Sequence, residues 1–296
     1  MNIVIVGPGA IGSLWACNLR SAGHNVSLWS RSQSNKLELQ LDDQPVFEFA
    51  NHQIQRLIDA DLIVVTTKAG QVETALMPLL PHLNHETILL FMHNGMGAVD
   101  PIFNTIADFP LLIATTTHGA LKTAPHKVQH TGKGITQIGS INKKGDQCHF
   151  ISDVFAHALP DVSWCLNINN ALWLKLAINC AINPLTAVLQ CNNGALSAAQ
   201  YKHRLNTIID EIVQVANADG QQFEADSLRE TISRVIQATA ANYSSMHQDI
   251  VHGRTTEIEY ITGYLLKRAQ THGLSVPKNQ SLYLQVKELE SQRSSA

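Results

Sequence analysis

The sequence predicts an α/β protein in which a mostly parallel sheet with its helices is followed by an entirely helical C-terminal part. In the first half, short runs of apolar and β-branched residues alternate with helical stretches, which is the pattern of βαβ units. From Asn169 onward, only helical periodicity remains. We therefore expect two domains, residues 1–166 and 167–296. Two is also the number that the 296-residue length suggests.

The N-terminal elements follow from local patterns. The predicted strands are residues 2–6, 25–29, 61–66, 87–91 and 111–116. The predicted helices between them are residues 10–21, 72–80 and 97–106. Residues 46–49, 127–130 and 135–138 are predicted to be antiparallel additions to the sheet, and Gly132 and Gly134 suit a hairpin turn between the last two. In the C-terminal part, helices are predicted at residues 170–189, 198–218, 225–241, 256–271 and 278–290.

The composition is that of a globular protein without nucleic-acid or membrane partners. Hydrophobic residues make up 45% of the chain, and the formal net charge of −3 gives no reason to expect nucleic acid. No signal-peptide pattern is present, and no apolar run is expected to reach the roughly 18–20 residues of a membrane span. The five cysteines are odd in number and contain no Cys-x-x-Cys pair. This favours a reduced, cytoplasmic protein.

A Gly-x-Gly-x-x-Gly motif lies directly between the first predicted strand and the first predicted helix. It consists of Gly7, Pro8, Gly9, Ala10, Ile11 and Gly12. Glycines at this spacing permit a tight turn, close approach of the backbone to a diphosphate and close packing of helix on strand. The helix N-terminus then offers free N–H groups to the phosphates. The motif in this context predicts a dinucleotide-binding Rossmann domain, the alternative being a glycine-rich turn without a ligand.

The end of the second predicted strand bears on the choice of dinucleotide. NAD-binding sites usually place an acidic residue there for the ribose 2′-hydroxyl group. Here the strand ends with Trp29, Ser30 and Arg31, without an acid. A guanidinium can bind a 2′-phosphate through paired hydrogen bonds, whereas a carboxylate would repel it. Arg31 therefore predicts NADP(H), the alternative being an exposed arginine at a strand end.

The predicted helix at residues 170–189 is apolar except for a stripe of polar residues. Lys175, Asn179 and Asn183 are spaced four residues apart and lie on one side of the helix. An amine between two amides suits an oxygen-rich ligand and can transfer a proton. The alternative is a solvated face with a lysine that extends to water. Spacing alone does not favour either interpretation.

A segment with two glutamates, residues 255–259, lies further toward the C-terminus. If Thr256 is the N-cap of the next helix, Glu259 occupies the position that completes a capping box. Glu257 then remains available for another role. A carboxylate beside Lys175 would keep the lysine charged and oriented. Asn242 and the serines at 244 and 245 precede another helical pattern, where they can be N-caps or ligand-binding residues.

Together these motifs resemble the ketopantoate reductase family, and the resemblance extends over nearly the whole chain. Its most distinctive parts are the His93-Asn94-Gly95 run and the Lys-x-x-x-Asn-x-x-x-Asn-Pro-Leu-Thr run that begins at Lys175. The resemblance implies a Rossmann domain followed by a helical domain. It also implies the NADPH-dependent reduction of 2-dehydropantoate, a small 2-oxo acid, to pantoate in pantothenate and coenzyme A biosynthesis.

The resemblance also implies roles for individual residues. Lys175 matches the family's general acid, and Glu257 is the acid expected beside it. The further residues that match cofactor contacts are Arg31, Lys68, Asn94, Ala120 and Glu257. The residues that match substrate contacts are Asn94, Lys175, Asn179, Asn183, Asn193, Asn242 and Ser245.

Two other functions remain open at this stage. One is the reduction of a different branched 2-oxo acid, and the other is an NADP(H)-sensing protein without catalysis. A sensor would not need Lys175, the asparagine stripe and Glu257 together, so their joint presence favours an enzyme. No metal-ligand pattern is present, so we expect no metal. A monomer and a homodimer are both compatible with the sequence.

Overall fold

The computed structural model describes residues 1–293. They divide into two compact units. The first consists of Met1–His93 and Ala98–Ala171, and the second of Asn94–Gly97 and the described chain from Leu172 onward. The strands lie in the first unit, and the second is helical. The predicted fold class, a parallel-stranded α/β domain followed by a helical domain, is confirmed.

The strands of the first unit form two sheets. They are β1 (Asn2–Val6), β2 (Asn25–Trp29), β3 (Lys36–Leu41), β4 (Phe47–Ala50), β5 (Leu62–Val65), β6 (Ile88–Phe91), β7 (Leu111–Thr116), β8 (Gly119–Ala124), β9 (Lys127–Gly132), β10 (Thr136–Ser140) and β11 (Val162–Trp164). The larger sheet has the order β11-β10-β7-β6-β5-β1-β2, and the smaller has the order β4-β3-β9-β8. From β2 to β7 the larger sheet is parallel, and β10 pairs with β7 in the antiparallel sense.

Helix α1 joins the two sheets into one core. The helices of this unit are α1 (Ala10–Ser21), α2 (Ile54–Ile58), α3 (Val72–Leu76), α4 (Phe103–Ile106) and α5 (Phe150–Ala158). α1 packs against β2 of the larger sheet, against β3, β8 and β9 of the smaller sheet, and against α5. Trp15 at its centre is fully buried and lies 4.7 Å from the ring of Phe155. Burial on several sides explains why α1 shows a broad apolar surface.

Three strands and one pairing differ from the sequence prediction. β3, β8 and β11 were not predicted, and β9 and β10 do not form the expected hairpin. β9 pairs with β8 and β3, whereas β10 pairs with β7 and β11. Gly132 and Gly134 therefore lie where the chain passes from one sheet to the other. β9 does form a hairpin, but with β8, which precedes it in sequence. Local turn chemistry could not reveal the pairings of β9 with β3 and of β10 with β7, because those strands are not consecutive in sequence.

The helical unit contains six further helices within the described residues. They are α6 (Ile168–Leu189, whose first turn precedes the unit), α7 (Ala199–Ala218), α8 (Ala225–Ala238), α9 (Ser245–Val251), α10 (Thr262–Thr271) and α11 (Pro277–Arg293). α7 packs against α8, α10 and α11. The single helix predicted at residues 256–271 is instead a short 3-10 turn, Ile258–Tyr260, followed by α10. The two are separate because Ile261 has non-helical backbone angles, with φ −102° and ψ −92°.

Among residues 1–293, α6 is the one helix that is long and apolar enough to cross a membrane by length and composition. The prediction that no run reaches this length was therefore wrong. However, 61% of its most apolar window is buried inside the protein. Such burial is usual for the central helix of a folded domain.

Candidate active site

The glycine motif forms the turn between β1 and α1. Gly7 has a positive φ of 80°, and its N–H donates to the Trp29 carbonyl at 2.9 Å. A side chain at Gly12 would overlap the Thr66 hydroxyl and the Gly7 carbonyl, so glycine is needed for α1 to approach the sheet. β1 lies between β2 and β5, where the strand order reverses. Open α/β sheets bind their ligands at such a switch point.

This turn fits a diphosphate group. Gly9 is the N-cap of α1 without a side-chain cap, and an added Cβ there would have only the Gly7 carbonyl nearby, at 3.9 Å. The first N–H groups of a helix have no acceptor within the helix, so those of Ala10 and Ile11 remain for a ligand. The first turn of α1 contains no acidic residue that would repel an anion. Open space, free donors and the positive end of the helix dipole are what a bound phosphate requires.

The Pro8 carbonyl accepts two hydrogen bonds, one from a residue that the sequence analysis missed. The Ser13 hydroxyl donates to it at 3.1 Å, and Lys122 Nζ of β8 donates at 3.2 Å. Lys122 and the predicted cofactor contact Ala120 are two residues apart on β8 and therefore lie on the same face of the strand. The structure thus adds a positive charge beside the glycine turn. Its signal was hidden because β8 itself was not predicted.

Arg31 and Lys68 follow the carboxyl ends of the two strands that flank β1. Arg31 lies in the exposed segment after β2. Within residues 1–293, its guanidinium takes part in no hydrogen bond or salt bridge. Lys68 follows β5 and is half-buried, and its carbonyl accepts the N–H of Gln71 at 2.8 Å. The ends of adjacent parallel strands meet at one edge of a sheet, so both cations belong to the edge that carries the glycine motif.

Lys175 lies half-buried on α6. Burial lowers the pKa of its ammonium group from 10.5 to about 8, and the charge of Glu257 opposes part of this shift. A lysine that merely extended into water would keep its ordinary pKa, so Lys175 differs in this respect from a solvated surface lysine. An amine with a pKa near the pH of the cell is suited to donating a proton.

Glu257, whose charge acts on Lys175, is hydrogen-bonded to Asn94. Asn94 Nδ2 donates to Oε2 of Glu257 at 3.0 Å, although 163 residues separate them in sequence. The Met96 N–H donates to the Tyr260 carbonyl at 2.8 Å, which fastens the segment around Asn94 to the segment around Glu257. The structure therefore brings together three of the predicted site residues, Asn94, Lys175 and Glu257.

Asn179 and Asn183 continue the stripe along α6. Asn179 is half-buried, and Asn183 is 9% exposed. Among residues 1–293, no hydrogen bond occupies either side-chain amide, so both retain donors and acceptors for a ligand. One turn later, the Thr186 hydroxyl donates to Ser244 Oγ at 2.8 Å. This contact places the start of α9 beside the end of the stripe.

Ser245 and Asn242 lie around the start of α9. Ser244 is the N-cap, because its side chain accepts the His247 N–H at 3.1 Å. The neighbouring Ser245 is exposed, so the cap function falls to one serine and the other hydroxyl remains accessible. Asn242 is also exposed, and its carbonyl accepts the N–H of Asn193 at 2.9 Å.

Asn193 is more deeply placed than the other predicted substrate contacts. It is 7% exposed, and its Nδ2 donates to the Thr239 hydroxyl at 2.9 Å. Its Oδ1 is buried and has no hydrogen-bond partner among the described residues. The neighbouring Asn192 instead caps the following 3-10 helix by accepting the Ala195 N–H. A buried carbonyl oxygen without a donor is costly, and a ligand hydroxyl could satisfy it.

The structure corrects the role predicted for Glu259. The Thr256 N–H donates to Glu290 at 2.7 Å, not to Glu259. The Glu259 carboxylate accepts from the Tyr283 hydroxyl at 2.8 Å and pairs with Lys287 at 3.0 Å. No capping box forms, because α10 begins only after the non-helical residue that follows the 3-10 turn. Glu259 still has a structural role, but with α11 as its partner.

Other reactive groups lie outside these clusters. Within residues 1–293, no group of three or more His, Cys, Asp or Glu is placed to hold a metal ion. Burial raises the pKa of the Cys17 and Cys180 thiols to about 12, which keeps both unreactive.

Family models match both halves of the chain. The model described as ketopantoate reductase PanE/ApbA matches residues 3–143, and the model of the C-terminal domain of the same family matches residues 167–290. The chain is 55% identical to the 2-dehydropantoate 2-reductase of Vibrio cholerae serotype O1, with 100% of both chains covered. It is 39% identical to the enzyme of the same name from Escherichia coli O157:H7, with 99% of this chain and 96% of the relative covered.

Solved structures show the same fold. A PanE/ApbA family ketopantoate reductase from Ralstonia eutropha JMP134 superimposes with a TM-score of 0.87 at 25% identity, covering 99% of this chain and 100% of that one. D-mandelate dehydrogenase, in a ternary structure with NADH and anilino(oxo)acetate, superimposes with a TM-score of 0.89 at 23% identity over 99% of this chain and 100% of that one. At 23% identity, the similarity to D-mandelate dehydrogenase shows only a shared fold.

Proposed function

This chain belongs to the ketopantoate reductase PanE/ApbA family, and from that premise we propose that it reduces 2-dehydropantoate to pantoate with NADPH. It is an oxidoreductase that acts on a small molecule. The observation that carries the mechanism is the half-buried Lys175 beside Glu257, with a pKa near 8. Neither alternative raised by the sequence, a reductase of another branched 2-oxo acid or a non-catalytic sensor, is favoured by its relatives.

We assign the cofactor to the edge of the sheet around β1. The glycine turn holds the diphosphate, Arg31 and Lys68 hold the 2′-phosphate, and Ala120, Asn94 and Glu257 make further contacts. The bound cofactor supplies a hydride to the carbonyl carbon of the substrate. The open space at Gly9 and the unpaired guanidinium of Arg31 support this assignment.

Lys175 has two roles in the proposed mechanism. As the carbonyl carbon is reduced, negative charge develops on the carbonyl oxygen, and a positive ammonium group stabilises it. Lys175 then donates its proton to that oxygen, which gives the alcohol. Its lowered pKa makes the transfer easier than from an ordinary lysine. Glu257 keeps a large fraction of Lys175 protonated despite its burial, and Asn94 holds the carboxylate of Glu257 in place.

The remaining polar residues of the helical unit hold the substrate. We propose that the free amides of Asn179 and Asn183 and the exposed groups of Ser245 and Asn242 bind its carboxylate and hydroxyl oxygens. The Nδ2 atom of Asn193 is already engaged by Thr239, so Asn193 offers only its Oδ1. That atom is an acceptor, which suits the substrate hydroxyl. Positioning of this kind can contribute several kcal/mol to the rate.

In this proposal, residues 1–166 bind the cofactor and residues 167–296 bind the substrate, with two exceptions. Asn94 also contacts the substrate, and Glu257 also contacts the cofactor. All the groups invoked belong to one chain, so a monomer and a homodimer are both compatible with the reaction. We place the enzyme in the cytoplasm, without nucleic-acid, membrane or metal partners, as the composition suggests.

The direct test is NADPH oxidation with 2-dehydropantoate beside a panel of other branched 2-oxo acids. We expect 2-dehydropantoate to give the highest kcat/KM, and mass spectrometry should identify pantoate as the product. A higher kcat/KM with another oxo acid would mean that this acid, and not 2-dehydropantoate, is the substrate. Tight NADPH binding without oxidation by any of these oxo acids would favour the non-catalytic sensor.

A further inference from the structure

Arg31 lies in an exposed loop whose backbone is hydrogen-bonded to the buried side chain of Asn51. The loop consists of residues 30–35 and joins β2 to β3. Asn51, just after β4, is fully buried beneath it. The Ser30 N–H donates to Asn51 Oδ1 at 3.2 Å. Asn51 Nδ2 donates to the carbonyls of Ser32 and Ser34, at 3.1 and 2.5 Å. The backbone is thus fixed on both sides of Arg31.

Asn51 is itself rigidly placed. Its N–H donates to the Asn35 carbonyl at 2.8 Å, and it forms a β-bridge with Leu28. The next residue, His52, packs its ring on Trp29 at 4.4 Å and hydrogen-bonds to the Ser30 carbonyl. Asn51 and His52 thus fix the loop from the end of the smaller sheet. Within the loop, the Ser32 N–H also donates to Ser30 Oγ at 3.1 Å and the Ser34 N–H to Ser32 Oγ at 3.3 Å.

The chemistry of these contacts requires asparagine. An asparagine amide offers two donor hydrogens and an acceptor oxygen, and all are used here. An aspartate would keep the acceptor and lose both donors, and a leucine of similar size would lose all three. A free loop of this length would have to be ordered each time Arg31 bound a phosphate, and that ordering weakens binding.

We propose that Asn51 is a positioning residue that determines the preference for NADPH over NADH by holding the Arg31 loop ready for the 2′-phosphate. This inference rests on the proposed assignment of Arg31. Asn51 touches no cofactor group in this scheme. Its effect passes through Arg31, so it should vanish when Arg31 is absent.

The test is a double-mutant cycle read by calorimetric binding of NADP⁺ and NAD⁺. Arg31→Ala should weaken NADP⁺ binding strongly and NAD⁺ binding little. Asn51→Leu should raise the Kd for NADP⁺ roughly tenfold and leave that for NAD⁺ within about twofold. In the Arg31→Ala background, Asn51→Leu should have no further effect on either. If the leucine variant does not fold, Asn51→Ser takes its place with the same expectations.

Asn142 provides a matched control in the same unit. It is half-buried, and its side chain also fixes a loop, accepting from Leu111 N–H at 3.0 Å and Gly145 N–H at 2.8 Å and donating to the Phe109 carbonyl at 2.8 Å. Asn142→Leu should lower Tm without changing the ratio of the two Kd values. Equal weakening of NADP⁺ and NAD⁺ by Asn51→Leu, or full additivity with Arg31→Ala, would overturn the inference. If Arg31→Ala itself leaves the ratio unchanged, the assignment of Arg31 fails first.

Discussion

The glycine turn after β1 and the Lys175 cluster are built in different ways. In the turn, backbone N–H groups and open space form the site, and its residues are contiguous from Gly7 to Gly12. In the cluster, three side chains from distant segments form the site, and the hydrogen bond between Asn94 and Glu257 joins residues 163 positions apart. In the proposed function, the turn binds a diphosphate, which is a common chemical group, whereas the cluster must match one reacting atom of the substrate.

The two regions therefore depend on the fold to different degrees. A phosphate is recognised by donors that any helix N-terminus provides, so a short motif suffices. A proton donor with a shifted pKa needs both burial and a charged neighbour, and only the folded protein supplies them. Substitutions in the turn should change cofactor affinity, whereas substitutions in the cluster should change turnover.

The largest effect is expected at the proton donor. Lys175→Ala should lower kcat at least about a hundredfold, a common scale for the loss of a general acid. Binding of NADPH, measured by calorimetry, should change far less. Lys267→Ala, which removes an exposed lysine of α10, is the matched control and should keep its activity. Near-normal turnover of Lys175→Ala would disprove the role.

Substitutions at two glycines of the turn should have different effects, one on cofactor binding and the other on thermal stability. Gly9→Ala has room for its methyl group in the free protein but fills the space for the diphosphate. It should raise the Kd of NADPH and NADH alike, by about tenfold or more, with little change in Tm. Gly12→Ala would overlap Thr66 and the Gly7 carbonyl, so Tm should fall by several degrees. A normal Kd for Gly9→Ala would argue against a diphosphate there.

The smallest effect concerns pH. A general acid must be protonated, so kcat/KM for the reduction should be constant below about pH 8 and fall above it, where Lys175 loses its proton. Glu257 raises the pKa of Lys175, so Glu257→Gln should move this decline to lower pH. The comparison requires profiles of both proteins from pH 6 to 10 (roughly the range around the lysine pKa). An unmoved decline would mean that Glu257 does not act on Lys175.

The local elements with the clearest sequence patterns were predictable, whereas three strands and the long-range pairings were not. The bounds of β1, α1 and β2 agree with the prediction because each follows from its own apolar pattern and the glycine motif between them. The smaller sheet was not predicted, because β3 pairs with β9 across many residues of sequence. In addition, the strands of this sheet are short and half-exposed. The wrong hairpin between β9 and β10 has a different cause, because β8, the hairpin partner of β9, is mostly exposed and carries no apolar pattern.

In the site, too, residues set by local patterns were predictable, whereas long-range contacts were not. Helical spacing alone aligned Lys175, Asn179 and Asn183, and the acid-free end of β2 pointed to Arg31. No pattern in the sequence placed Asn51 beneath Arg31 or Lys122 beside Pro8, because those contacts depend on the second sheet. The partners of Glu259 were also unreadable, since they lie on α11.

The four residues Asn94–Gly97 group with the helical unit although they directly follow a strand of the sheet. The chain therefore passes between the two units three times, at residues 93–94, 97–98 and 171–172. A chimeric enzyme that exchanges only the C-terminal half would inherit Asn94 from one parent and Glu257 from the other. Recombination between distant relatives should succeed more often when this tetrapeptide travels with the helical unit, as a small graft in the middle of the other domain.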